Sequence, residues 1–176
     1  LRLTGYALAA AAGAYILLFL IMAAYRIGYP FELEWMEGAM VDHVIRVLEG
    51  RPLYAAPAIE FVPFRYAPIY YYLSALVSLV IGVGFVPLRL VSIVSTLGSF
   101  TFLYLLIRKE TGNWVFGLVA AGFFAATYPA GGTWFDIARV DMLFIFFTLA
   151  GLYVARFHRT LAGAALAGVL FSLAFL

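Results

Sequence analysis

The segment Tyr6–Tyr25, YALAAAAGAYILLFLIMAAY, decides the class of this protein. It contains no charged side chain over 20 residues. A helix rises ~1.5 Å per residue, so this segment would be ~30 Å long, which is the thickness of the hydrocarbon core of a bilayer. The small residues Ala9–Ala14 favour close packing against a neighbouring helix. We therefore predict a membrane-spanning helix here.

The composition of the whole chain agrees with a lipid environment. Of 176 residues, 66% are hydrophobic and 11% are charged, whereas a soluble domain is roughly half apolar and a quarter charged. This excludes a soluble globular protein and a disordered one. The net charge of +2 without a basic stripe indicates no nucleic-acid partner. The chain begins at Leu1 and ends within an apolar run, so we expect it to be the N-terminal portion of a longer protein and inactive as an isolated piece.

Four further apolar segments follow the first one. They are Pro87–Ile107, Trp114–Ala130, Met142–Phe157 and the run that begins at Leu161. No stretch alternates as a strand would. We predict an all-α polytopic membrane protein, with residues 1–176 forming one membrane domain of about five transmembrane helices.

A long first outer loop, residues 26–86, is predicted to contain two interfacial helices. Met36–Leu48 has apolar residues at helical spacing and charged residues on the other face, which is typical of a helix on the membrane surface. We expect His43 to be a surface residue of this helix. Pro68–Ile81 is apolar but would measure only ~21 Å, which suits an interfacial or re-entrant helix. Residues 131–141 form the second outer loop.

The orientation depends on whether Tyr66–Gly84 crosses the bilayer. If it does not, the cationic turns at 108–109 and 156–159 share one face, which the positive-inside rule makes cytoplasmic, and the acids of both outer loops meet on the opposite face. If it does cross, those turns move outside and the two acidic segments end on opposite sides. The charge distribution favours the first arrangement.

Four short motifs carry a resemblance to a known family. Tyr66-Ala67-Pro68-Ile69-Tyr70-Tyr71-Tyr72-Leu73 resembles the Pro-Pro-Leu-Tyr-Tyr-Trp stretch of lipid-linked-sugar glycosyltransferases of the GT-C superfamily. Val86-Pro87-Leu88-Arg89-Leu90 is similar to their Ala-Leu-Arg-Leu-Pro segment, and Ala138–Leu143 is similar to their Arg-x-Asp entry into a span. Glu34-Trp35-Met36-Glu37-Gly38 lies where the family has an acidic pair, commonly Asp-Glu, although Met36 replaces one acid.

The resemblance, strongest to protein O-mannosyltransferases and aminoarabinose transferases, implies a function. Such enzymes move a sugar from a polyprenyl-phosphate carrier to an acceptor on the outer face of a prokaryotic plasma (inner) membrane. The implied partners are this donor, membrane lipid and other membrane subunits. The resemblance fixes no cofactor, because either an arginine or a divalent cation, Mg or Mn, could stabilise the leaving phosphate. Two other functions remain open. One is a non-catalytic subunit or scaffold with this fold, and the other is a transporter, which the lack of mid-span charges in the long spans disfavours.

The candidate catalytic residues are Glu34, Glu37 and Asp141. A carboxylate can take the proton of the attacking acceptor, and we assign the base to Glu37 or Glu34. Both could instead simply be exposed acids at a helix N-terminus, where the helix dipole favours negative charge. Asp141 opens a span at the edge of the hydrocarbon, where an acid is costly and therefore a functional candidate. The alternative for Asp141 is a local salt bridge with Arg139.

The candidate substrate-binding residues are Arg65, Tyr70, Arg89, Asp136 and Arg139. An arginine can neutralise the phosphate that leaves with the carrier. Arg89 could equally extend toward lipid headgroups, and Asp136 could be an exposed turn residue. The tyrosines that follow Pro68 cannot all face one way on a helix, so one or two line a carrier groove and the others anchor in the interface.

Overall fold

The computed structural model describes residues 2–176, with side chains from residue 3, and within that range it contains seven α-helices and no strand. The predicted all-helical class is therefore confirmed. The helices are α1 (Arg2–Arg26), α2 (Glu37–Leu48), α3 (Ile69–Ile81), α4 (Phe85–Thr111), α5 (Trp114–Ala126), α6 (Asp141–Phe157) and α7 (Leu161–Phe175).

Helix α4 lies at the centre of the bundle. It contacts α2, α3, α5 and α6, whereas α1 packs on α5 and α7 packs on α6. Near the start of α4, Ser92 donates to the Arg139 carbonyl at 3.1 Å, and near its end Glu110 binds Arg156. Helices α4 and α6 therefore run in the same direction.

The bundle has two chemically different ends. We call the one that contains residues 26–68, 127–141 and the first turns of α4 the acidic end, because eight of the nine acids lie in these segments. The opposite, basic end contains Arg108, Lys109, Arg156 and Arg159. Its single acid, Glu110, is bound by Arg156. The two acid-bearing segments therefore meet at one end, as the charge distribution predicts.

Helix α3 begins and ends at the acidic end. At its start, the Tyr70 hydroxyl donates to the Leu88 carbonyl in the first turn of α4 at 2.8 Å. At its end, a short connection returns the chain to Phe85. The φ angles of Gly82 and Gly84 there are 91° and 154°, which only glycine adopts readily. Helix α3 therefore does not extend along the bundle to the basic end.

Two helices are long and apolar enough to cross a membrane, namely Leu3–Arg26 within α1 and Phe85–Thr111. Helices α5, α6 and α7 have 13, 17 and 15 residues, so five full-length spans are not confirmed. The third predicted span is shorter than expected because α5 ends at Ala126. Pro129, Gly131 and Gly132 follow in an irregular turn, because Pro and Gly residues disfavour a continued helix.

Close helix packing follows from the small residues, as predicted for α1. Gly122 of α5 lies directly against the backbone of Ala12, which leaves no room for a side chain at position 122. Phe19 and Ala23 of α1 continue this contact in a buried cluster with Phe100 and Ala125. This cluster fixes the end of α1 beside the second outer loop.

Helix α2 is amphipathic as predicted, but one residue was assigned to the wrong face. Met40 and Val44 are buried against Tyr71 of α3, in agreement with the apolar periodicity. His43, predicted to be a surface residue, is fully buried. The reason is that the loop after α2 folds back over this face, so that Phe61 and Phe64 cover the imidazole ring.

Candidate functional site at the acidic end

A buried ion pair between Glu37 and Arg89 of α4 lies where the segments 26–68 and 127–141 meet. The Arg89 Nε donates to Glu37 Oε1 at 2.9 Å and Nη2 donates to Oε2 at 2.7 Å, and neither side chain has any exposed surface. The backbone amide of Ala138 also donates to Oε1 at 2.8 Å, and that of Leu33 to Oε2 at 2.7 Å. Both oxygens of Glu37 are therefore occupied by protein donors.

The remaining donors of Arg89 bind backbone carbonyls at the end of α1 and in the segment that follows it. Nη1 donates to Tyr29 at 2.6 Å and to Arg26 at 3.1 Å, and Nη2 donates to Phe31 at 2.8 Å. Burial alone would raise the pKa of Glu37, but the hydrogen bonds from Arg89, Ala138 and Leu33 outweigh burial and lower it. The pair thus holds a charged carboxylate that connects α2, α4 and both loops.

A second buried cluster surrounds Asp136, which is fully buried and not an exposed turn residue. Its Oδ1 accepts from the Tyr128 hydroxyl at 2.8 Å and lies 3.1 Å from Arg26 Nη1. Arg26 also donates to the Tyr128 hydroxyl. Burial raises the pKa of Asp136 more strongly than Arg26 and Tyr128 lower it, and Oδ2 has no hydrogen-bond partner among the described residues.

Arg139 lies between the two accessible carboxylates. Its Nε donates to Asp141 Oδ2 at 2.9 Å and its Nη1 is 3.5 Å from Glu34 Oε2. The local salt bridge considered for Asp141 therefore forms. Burial acts to lower the pKa of Arg139, but the hydrogen bond and charge of Asp141 raise it overall. The Trp134 ring, 3.9 Å from the guanidinium, covers one face of Arg139.

The accessibility of the candidate carboxylates differs sharply. The side chain of Asp141 is 41% exposed and that of Glu34 is 15% exposed, whereas Glu37 and Asp136 are fully buried. The Oε2 of Glu34 also accepts from the Met36 amide at 3.1 Å. Asp141 is therefore the candidate acid with the most direct access to a ligand.

Asp141 lines a cavity of about 450 Å³ at the acidic end. The exposed cation Arg65 lies on its rim, and Tyr66 and Tyr70 also line it. Phe144 and Phe175 contribute an apolar part of the lining. Within the described residues, Asp141 and Arg65 are the only charged residues lining this cavity. It therefore combines one acid, one cation and an apolar surface.

The three tyrosines after Pro68 face different surroundings, since they cannot all face one way on a helix. Tyr70 is fully buried, and its hydroxyl lies 3.0 Å from Ser92 Oγ. Tyr71 is also buried and stacks on His43 with ring centroids 4.7 Å apart. Tyr72 points outward and is half exposed. Of the three, only Tyr70 reaches the cavity.

The accessible acids do not fit a divalent-cation site. No group of three or more His, Asp or Glu side chains in the described part of the chain is arranged to hold a metal ion. Between Glu34 and Asp141 lies the Arg139 guanidinium, which would repel a cation. The positive charge at this site is therefore supplied by arginines.

Three residues of the acidic end were not identified as site residues from the sequence. Arg26 and Tyr128 complete the Asp136 cluster, and His43 connects α2 to the following loop. Arg26 lies just beyond the first hydrophobic segment and Tyr128 lies near the end of the segment Trp114–Ala130, which is the one signal that could have drawn attention to them. For His43 the sequence carries no comparable signal, because its partner is a backbone amide.

Comparison with known proteins identifies no relative. No family model matches the chain, and neither the curated proteins nor the solved structures contain a significant match.

Proposed function

We propose that this chain belongs to a membrane glycosyltransferase of the GT-C type, which moves a sugar from a polyprenyl-phosphate carrier to an acceptor hydroxyl or amine. The cavity that combines Asp141, Arg65 and an apolar wall carries this proposal. The reaction needs a base for the acceptor, a cation for the phosphate and a surface for the isoprenoid, and the cavity offers one of each. We place the acidic end outside a prokaryotic plasma membrane, since the basic turns favour the cytoplasmic side.

Asp141 is the proposed base. As the acceptor oxygen or nitrogen attacks the anomeric carbon, its proton passes to a carboxylate oxygen of Asp141, and the bond between the sugar and the carrier phosphate breaks. Arg139 orients this carboxylate through Oδ2, and Glu34 holds the other side of Arg139. The exposure of Asp141 supports its choice over Glu37, whose oxygens already accept from protein donors.

Arg65 is the proposed ligand of the carrier phosphate. It is exposed at the cavity rim, and its planar guanidinium suits bidentate binding of a phosphate. Arg89 is not available in this way, because its donors are bound to Glu37 and to backbone carbonyls. Phe144 and Phe175 would contact the first isoprene units of the carrier. Tyr70 lines the cavity, whereas Glu37, Arg89 and Asp136 shape the site without touching substrate.

The test is loss of glycosylated product in the full chain, assayed in its native membrane. Asp141→Asn should lower product formation by roughly 10²- to 10⁴-fold, which is the usual contribution of a general base. Glu49→Gln is the control, because Glu49 is an exposed acid at the same end of the bundle that pairs with Arg51 outside the cavity. Unchanged product in Asp141→Asn at equal membrane abundance would refute the proposed base.

A non-catalytic subunit is the second candidate, and the pairing of acids favours it. Each of the four candidate acids lies in an ion pair with Arg26, Arg89 or Arg139. A scaffold would use these pairs only to hold its loops. In that case Asp141→Asn leaves product unchanged, whereas Glu37→Gln reduces the recovery of partner subunits from the membrane.

A further inference from the structure

The buried His43 ring holds the loop after α2 by two hydrogen bonds. Its Nδ1 lies 2.6 Å from the Ala39 carbonyl oxygen, and its Nε2 lies 2.9 Å from the Phe64 amide nitrogen. Tyr71 stacks on the ring with centroids 4.7 Å apart, and Phe64 stacks at 5.4 Å. The imidazole is therefore enclosed by α2, α3 and the loop, and both of its nitrogens are in use.

The two partners determine where the protons of the ring are. The Ala39 carbonyl can only accept, so Nδ1 must carry a proton, and the Phe64 amide can only donate, so Nε2 must have a free lone pair. Both bonds form only with the neutral ring. A second proton on Nε2 would place two N–H groups against each other and break the bond to Phe64.

Few charges around the ring oppose or assist protonation. On α2, the negative charge of Asp42 favours the protonated ring and the positive charge of Arg46 disfavours it. Helix α3 presents the uncharged Tyr71 ring, and the loop carries Glu60 and Arg65 on either side of the residues that cover His43. Burial is the largest influence and lowers the pKa of His43.

Phe64 is followed directly by Arg65 at the cavity rim. We propose that neutral His43 is a positioning residue, which fixes the backbone of Phe64 and thereby sets Arg65 at the cavity, so that protonation of the ring releases Arg65 and weakens phosphate binding. The binding half of this inference rests on the proposed function of the cavity. The hydrogen-bonding half rests on the geometry alone.

The first measurement is NMR of the full chain, labelled with ¹⁵N at histidine, phenylalanine and arginine and reconstituted in nanodiscs. The signal that disappears in His43→Gln identifies the ring. We expect the neutral Nδ1–H tautomer at neutral pH, and backbone amide shifts of Phe64 and Arg65 that titrate together with the ring. A protonated ring at neutral pH, the Nε2–H tautomer, or Phe64 and Arg65 amides that ignore the titration would each overturn the positioning role.

The second measurement is binding of farnesyl phosphate from about pH 7.5 down to about pH 4.5, a range that extends below ordinary histidine titration because burial lowers the pKa of His43. Glutamine offers an amide oxygen to Phe64 and does not titrate, so His43→Gln should bind at all pH values. Wild type should lose about tenfold more affinity than His43→Gln on acidification, which is the loss expected for one broken hydrogen bond. The phosphate ionises equally in both experiments, so the difference between the two losses of affinity is due to His43.

Two further variants separate the possible failures. His43→Phe keeps the stacking but cannot accept from Phe64, so it should bind weakly at every pH. Arg65→Gln should bind weakly without altering the histidine signal. Parallel pH profiles for wild type and His43→Gln would overturn the binding half. If wild type binds no farnesyl phosphate at any pH, the proposed phosphate site and this binding half both fail, while the NMR titration still decides the hydrogen-bonding half.

Discussion

The Glu37 carboxylate and the Arg89 guanidinium face each other across two parallel hydrogen bonds in a site from which water is excluded. Such a bidentate pair is strong when complete, but removing one partner leaves a buried charge without compensation. The pair also anchors carbonyls and amides from three separate segments. Its loss should therefore affect the whole acidic end.

Glu37→Gln should destabilise the protein by about 3–5 kcal/mol, which is typical when one partner of a buried ion pair is removed. The amide keeps the shape of the carboxylate but not its charge, so Arg89 stays buried and unpaired. Denaturant unfolding in detergent measures the difference. Glu49→Gln is again the control, since an exposed pair contributes only about 0–1 kcal/mol. Equal unfolding midpoints for the two variants would contradict the structural role of the pair.

Asp136 should make stability depend on pH in a defined direction. Because burial raises its pKa in the folded state, the folded protein binds the proton more tightly than the unfolded chain does. The contribution of Asp136 is therefore fully present below the ordinary aspartate pKa of about 3.9 and is lost as pH rises through the folded value. The unfolding free energy of the wild type, minus that of Asp136→Asn, should therefore fall as pH rises. A difference that grows with rising pH would show that the charge of Arg26 outweighs burial and lowers the pKa of Asp136 instead.

His43 should have the opposite effect on stability. Its pKa is lowered in the folded state, so its contribution is present above the unfolded pKa of about 6.5 and is lost as pH falls through the folded value. His43→Gln should remove this acid-induced loss. The measurement is the unfolding temperature of both proteins between about pH 7.5 and about pH 5. Identical pH dependence in both would mean that the ring titrates alike in folded and unfolded chains.

Gly122→Leu should separate α1 from α5. No side chain fits at position 122 because the Ala12 backbone occupies the space, and overpacking of this kind costs about 1–3 kcal/mol. The thermal unfolding temperature should fall accordingly. Gly168→Ala on α7 is the control, because no described atom lies within 4 Å of the added carbon apart from its chain neighbours and its own helix backbone. A larger effect of the control would contradict the close contact of α1 and α5.

Much of the fold was predictable because hydrophobic periodicity reports directly on helices. The bounds of α2 differ from the predicted ones by a single residue at its start, and the acids of both outer loops meet as the charge distribution indicated. The length of α5 was overestimated, because an apolar run does not show where Pro129 and the glycines interrupt the helix. Hydropathy cannot distinguish an apolar helix from an apolar turn.

The internal arrangement of the site was not predictable in the same way. Glu37 and Arg89 were both selected as candidates, but their contact spans 52 positions and depends on how α2 docks on α4. The burial of His43 depends on a loop that returns over the helix, and its partners are backbone groups that every residue possesses. Sequence patterns record which side chains are present, whereas these contacts are determined by tertiary packing.

The carbonyls that accept hydrogen bonds from Arg89 also set the order in which the acidic end can assemble during synthesis. The ribosome delivers residues 26–37 well before Arg89, and it delivers Ala138 later still. Until α4 enters the bundle, the carbonyls of Tyr29 and Phe31 and the carboxylate of Glu37 lack the cation that joins them in the finished protein. A nascent chain released before residue 89 therefore cannot assemble this junction, and the segment after α1 becomes fixed only when α4 arrives.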